Sequence, residues 1–204
     1  MLDKEYFLTS GEKTQSGINV KKLASCIEAD DTKETIKQIM YIMAHKIPLV
    51  SNSQSNEKFK RSAEQIIINR NRNGCCDSST LFVSLCREKG IPAVQIITAK
   101  MSALRKGDFS RGHFFSGYFI KESNNWEIID SNVDKKDLNK GFKIFDYDPN
   151  SEFISEDYYI FAHVRDFSDF EINGIKIDSI KAMNKIHRII YDEYINKNIY
   201  IDRN

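Results

Sequence analysis

The sequence predicts an α+β domain in which helices come first and an antiparallel sheet follows. Two observations carry that prediction. Up to Gly90 the apolar residues recur at helical spacing, and beyond Pro92 they fall in short alternating runs separated by turn-forming residues.

In chain order, "VKKLASCIEA" spaces Val20, Leu23, Ala24 and Ile27 for one helix, and "DTKETIKQIMYIMAHKI" spaces Ile36, Ile39, Met40 and Met43 for a second. Asp31 with Glu34 forms a capping pair at the second start, and Pro48 lies beyond its end. Polar "SNSQSN", Ser51 to Asn56, reads as a loop. A third amphipathic stretch, "EKFKRSAEQIIINR", carries Phe59, Ala63, Ile66 and Ile67 on one side. After Gly74, the apolar Leu81, Val83, Leu85 and Cys86 predict a helix over Asp77 to Lys89, stopped by Gly90-Ile91-Pro92. Strands follow at "AVQIITA", "HFFSGYFI" and "WEIIDSN", the last two joined by "KESNN", which has hairpin length and composition. Between the first two runs "KMSALRKGDFSRG", a long basic loop. "YYIFAHVRDF" gives another strand, and "SIKAMNKIHRIIYDEYINKNIY" a last helix with Ile180, Met183, Ile186, Ile190 and Tyr194 as its stripe.

The bulk properties bound the function. A chain of 204 residues with 41% hydrophobic content fits one domain with a core of its own. Thirty basic and 29 acidic residues, a formal net charge of +1, create no overall field for nucleic acid or an anionic membrane. The N-terminus has acidic residues early and no signal-like apolar run, so the expected compartment is the cytoplasm. There, four cysteines are expected as thiols, with Cys26 and Cys86 packed as small hydrophobes. Cys75 and Cys76 remain to be explained.

A thiol becomes a nucleophile where something lowers its pKa, and the unpaired amides and dipole of a helix N-terminus do so. Cys76 is expected at such an end, with Gly74 supplying the tight turn and Asp77, Ser78 and Ser79 suited to a helix start. His113 opens a strand and shares one face with Phe115, Gly117 and Phe119, while Asp130 ends the next strand on the face of Trp126 and Ile128. In an antiparallel hairpin the start of one strand lies beside the end of the next. His113 and Asp130 therefore meet at one end of the sheet, as a base and the group that orients it.

The run "GCCDSSTLFVSLCREKGIPA", then "GHFFSGYF" and "WEIIDSN", resembles the transglutaminase-like branch of the papain-like cysteine enzymes. The likeness covers about Glu64 to Asn132. It implies a papain-like or transglutaminase-like core in which the nucleophile-bearing helix packs on the antiparallel sheet. It also implies a catalytic triad of Cys76, His113 and Asp130. The chain then divides as one domain over 1–204, with a helical part at 1–60, a catalytic core at 61–170 and a C-terminal helix at 171–204. Val94, Phe115 and Ser131 stand where the family often has Arg, Trp and Pro, and none of these is a triad position. An upstream side chain usually helps the nucleophile's amide hold the oxyanion. Gln65, Asn69, Asn71 and Asn73 are all eligible.

The expected function is a cysteine-dependent amide-bond hydrolase, a peptidase or deamidase working through a thioester on a protein or peptide. Acyl transfer to an amine is one alternative, and a binding module of the same fold without chemistry is another. No cofactor or metal is expected: Cys75, Cys76 and a histidine lack zinc-ligand spacing, and a vicinal disulfide would be strained. No nucleic-acid or membrane partner is expected, and the oligomeric state is left open. His45, His163 and His187 are assigned structural roles and Trp126 a packing role. The loop from Lys100 to Arg111 is a solvated segment or, if it overhangs the site, a preference for acidic substrates or a lid.

Overall fold

The computed structural model describes residues 2–50, 57–148, 151–155 and 157–195, with side chains through residue 193. The predicted loop at Ser51 to Asn56, the side chain of Tyr194 and residues 196–204 of the predicted last helix lie outside the described residues. Four helices come first: α1 (Ile18–Ala24), α2 (Thr32–Lys46), α3 (Ala63–Ile68) and α4 (Cys75–Glu88). The α2 start is capped as expected, with the Asp31 carboxylate accepting the Glu34 amide at 2.7 Å.

The third helix is shorter than the periodicity predicts. Ser62 and Gln65 form a reciprocal capping box that fixes the helix start at Ala63. Upstream, Phe59 takes a left-handed φ of 67°, which no α-helix continues through. Its ring therefore leaves the α3 face and packs on Phe114 and Phe167, with ring centres 5.9 and 6.3 Å away.

Among the described residues the sheet has six antiparallel strands: β1 (Ala93–Lys100), β2 (Gly112–Ile120), β3 (Asn125–Ile129), β4 (Ile144–Asp146), β5 (Phe153–Ile154) and β6 (Tyr158–Val164). Their spatial order is β4-β3-β2-β1-β6-β5. The β2–β3 hairpin pairs Ile120 with Asn125 and Ser116 with Ile129, the register its short connection implies. The predicted basic loop contains a short helix, α5 (Met101–Leu104). Its start is capped from a distance, because Asp157 accepts the Ser102 amide at 2.7 Å and the Ser102 hydroxyl at 2.8 Å. A small hairpin, β7 (Glu171–Ile172) and β8 (Ile175–Lys176), precedes α6 (Ile180–Ile190), which passes into a π-turn at Tyr191–Ile195.

α4 lies at the centre, and every residue from Cys76 to Arg87 is buried. Such a helix must satisfy its polar side chains internally. It does so through Ser79 to the Phe115 carbonyl at 3.2 Å and Ser84 to the Thr80 and Thr14 carbonyls at 2.8 and 3.1 Å. One face of the sheet packs with α1, α2 and α4 through Leu81, Leu85, Tyr118 and Ile120. The other face carries Phe115, Phe119, Trp126 and Ile128 and is covered by the N-terminal segment through Phe7. Trp126 is the packing anchor expected, its ring 6.0 Å from that of Phe7 and 5.7 Å from that of Phe119. Among the described residues no helix is long and apolar enough to cross a membrane.

Candidate active site

α4 begins two residues earlier than the sequence predicts. Gly74 is its N-cap, with φ 91° and ψ −163°, a conformation reserved for glycine. Asp77 is thus inside the first turn, where its carboxylate accepts the Asn73 amide at 2.6 Å and pairs with the Arg61 guanidinium. That clamp holds the approach to the helix in place. Burial still raises the Asp77 pKa, against the lowering effects of the Asn73 amide and Arg61.

Both cysteines lie in the first turn of α4 and face different ways. Successive helical residues point about 100° apart, so Cys75 and Cys76 cannot share a direction. Cys75 lines a cleft with His113, Phe59, Phe114 and Thr98. Its thiol shares that cleft with the His113 imidazole and is coupled to it electrostatically. Cys76 is 2% exposed and sits in a cluster with Phe59, Ile97, Phe114 and Phe167. The expectation that Cys76 meets His113 is therefore corrected: the structure turns Cys76 into the core and sets Cys75 against the imidazole.

The two thiols differ electrostatically as well. For Cys75, burial acts to raise the pKa, but the charge and hydrogen bond of His113 and the Phe114 amide outweigh it and hold the thiol below its ordinary value. For Cys76, burial, the Asp77 carboxylate and the neighbouring Cys75 all push the pKa well above that value. Only one of the pair is suited to exist as a thiolate.

His113 is the second residue of β2 and Asp130 follows directly on β3. The hairpin brings them together as expected, with His113 Nε2 2.9 Å from Asp130 Oδ1. The same oxygen accepts the Asn132 amide at 3.0 Å, and the Asp130 amide donates to the Lys143 carbonyl at 3.0 Å. With Nε2 held by Asp130, Nδ1 is the nitrogen left for the sulfur. Burial would lower the His113 pKa, but the Cys75 charge and the Asp130 hydrogen bond raise it to about 10. Asp130, which burial would raise, is held below its ordinary value by the His113 hydrogen bond and charge and the Asn132 amide. The Phe115 ring packs against the imidazole in a T-shaped arrangement, with ring centres 4.5 Å apart.

Arg72 supports this arrangement from beneath. It is fully buried, and its guanidinium donates to the Ile47, Ser131 and Val133 carbonyls at 2.7, 3.2 and 2.7 Å and to Ser78 Oγ at 3.0 Å. It thereby ties the chain just beyond Asp130 to the first turns of α4. Burial lowers its pKa to about 10, still cationic at neutral pH.

Of the four upstream side chains weighed for an oxyanion donor, Gln65 caps α3. Asn71 accepts from Arg61 and donates to the Asn69 carbonyl. Asn69 is exposed, and Asn73, two residues before Cys75, is 6% exposed. The sequence reading missed the far wall of the cleft, made by Ile180, Met183, Asn184 and His187 of α6. Nothing local in the α6 sequence marks it as a neighbour of Cys75. His187 is buried there, its Nδ1 2.9 Å from the Phe109 carbonyl, and burial keeps its pKa below the ordinary value. His45 stacks on Tyr41, and His163 lies half-buried in β6.

A family model described as the transglutaminase-like superfamily matches residues 21–131. No curated protein matches the chain. Among solved structures, a candidate cysteine protease from Cytophaga hutchinsonii is similar at 24% identity and a TM-score of 0.55, covering 82% of this chain and 50% of that one. The crystal structure of a TGase is similar at 14% identity and a TM-score of 0.41, covering 67% of this chain and 36% of that one. The chain spans half the length of the first of these proteins and about a third of the second.

Proposed function

The chain belongs to the transglutaminase-like superfamily, and from that premise we propose that it is a cysteine-dependent amide-bond hydrolase with Cys75 as nucleophile, His113 as general acid and base, and Asp130 as the group that orients the imidazole. The observation that carries the reading is that Cys75, the first residue of a buried helix, lines one cleft with His113, whose imidazole is bonded in turn to Asp130.

In the proposed cycle the Cys75 thiolate attacks the carbonyl carbon of a peptide or side-chain amide. The oxyanion that forms lies at the helix N-terminus, where the Cys75 amide has no intrahelical acceptor. The His113 imidazolium gives its proton to the departing nitrogen, the C–N bond breaks and a thioester remains. Neutral His113 then takes a proton from water, the hydroxide attacks the thioester, and the carboxylate product leaves as the thiolate and imidazolium are restored. Asp130 keeps Nδ1 aimed at the sulfur throughout. The same thioester opened by an amine would give acyl transfer.

Two measurements test the proposal. Iodoacetamide at mildly acidic pH, followed by peptide mapping, is expected to alkylate Cys75 well ahead of Cys26, Cys76 and Cys86. Equal rates would sink the catalytic reading. Incubation of candidate protein substrates with a tagged primary amine then separates the chemistries, because Cys75-dependent incorporation of the tag would replace hydrolysis by transfer.

A further inference from the structure

Gly112, one residue before His113, lines two clefts at once. The first is the narrow space of about 60 Å³ at Cys75, with Lys58 at its wall. The second is wider, about 460 Å³, and is lined by Lys100, Ser102, Lys106, Asp108, Arg111 and Tyr158. Tyr158 joins the second cleft to the catalytic centre, its ring 6.0 Å from that of His113.

The charge of these walls is one-sided. Four cations, Lys58, Lys100, Lys106 and Arg111, line the two clefts against one carboxylate, Asp108. A chain with a net charge of +1 has no reason of composition to place them together. Local carboxylates neutralise them only in part. Of the four, Lys100 is paired with Asp157 at 3.6 Å and Arg111 with Asp108 at 3.4 Å. Lys106 has no carboxylate within ion-pair distance among the described residues. Met101 and Leu104 are buried and anchor the α5 segment that carries Lys100 and Lys106.

Resting on the reading of Cys75 as nucleophile, we infer that this cleft is a substrate subsite for carboxylates and that the protein acts on acidic peptide segments. Glu or Asp side chains flanking the reacting amide would lie along Lys100, Lys106 and Arg111, with Tyr158 packing against the peptide beside His113. A concave wall of net positive charge both selects such a segment and speeds its arrival.

The test uses two alkylating peptides of equal shape, N-iodoacetyl-Glu-Glu-amide and N-iodoacetyl-Gln-Gln-amide, with Cys75 and Cys26 mapped in the same full-length chain. At low ionic strength Cys75 is expected to react about tenfold faster with the Glu probe than with the Gln probe. That ratio should fall toward one at high salt and in the Lys106→Gln/Arg111→Gln protein. A ratio of one in the wild type, or a high ratio that survives the double substitution, overturns the subsite and leaves the nucleophile standing. If the Gln probe alkylates Cys75 no faster than Cys26, the nucleophile reading falls and the subsite falls with it.

Discussion

Cys75 and Cys76 are consecutive residues whose thiols are driven in opposite directions: one is lowered by His113 and the Phe114 amide, the other raised by burial and by Asp77. Removing each sulfur should therefore have opposite consequences. Cys75→Ala should abolish turnover and leave stability little changed. Cys76→Ala should keep rapid alkylation of Cys75 while lowering the unfolding free energy by about 1 kcal/mol, the scale of a small core deletion. Urea denaturation, turnover of candidate protein substrates and alkylation mapping check both. Retained activity in Cys75→Ala would return the nucleophile to Cys76.

Asp130 acts on the sulfur through the imidazole. In Asp130→Asn the His113 pKa should fall from about 10, and the Cys75 pKa should rise as its cationic partner is lost. The acid limb of the alkylation rate against pH is then expected to move up by about one to two units. An unshifted limb would show that Asp130 does not hold the proton on His113.

The same shifts fix a pH dependence of stability. His113 is raised in the fold, so its contribution is fully present below its ordinary value near ~6.5 and is lost as pH rises through about 10. Asp130 is depressed, so its contribution is present above ~3.9 and is lost as pH falls through its lower folded value. The stability lost in Asp130→Asn should be greatest between these limits, roughly pH 4 to 6.5, and shrink on either side. Urea midpoints across pH measure this, and a difference independent of pH would refute the coupling.

Gly74→Ala isolates the backbone. An added Cβ would meet nothing within 4 Å, so its cost comes from the positive φ alone. A loss of about 1–3 kcal/mol is expected, together with slower alkylation of Cys75 as the first turn shifts. Unchanged stability would mean that the turn tolerates a side chain.

Arg72→Met should be among the most damaging substitutions away from the reacting atoms. It removes donors to three carbonyls and to Ser78, leaving buried acceptors unpaired at a cost of about 3–5 kcal/mol. At temperatures where the variant remains folded, Cys75 alkylation should lose part of its pH dependence, because the segment after Asp130 is no longer tied to α4. Thermal unfolding with alkylation rates at two pH values provides the check.

The sequence by itself determined the class of fold, the hairpin and the meeting of His113 with Asp130. Strand alternation and a short connection fix which side chains share a face and an end, and that information is local. It also marked the Gly74–Cys76 turn as the place of the nucleophile. Which cysteine faces the imidazole was decided only by the tertiary structure. Cys75 and Cys76 point about 100° apart, and α4 is buried on all sides, so no polar face marks which of the two turns toward the imidazole. The signal that could have found it is Gly74 itself, because a glycine required for a positive φ stands directly before the first helical residue. Cys75 against His113, Arg72 beneath Asp130, α6 across the cleft and Asp157 capping α5 all join segments far apart in the chain. Packing and the satisfaction of buried polar groups settle such contacts, and neither has a period that a linear sequence displays.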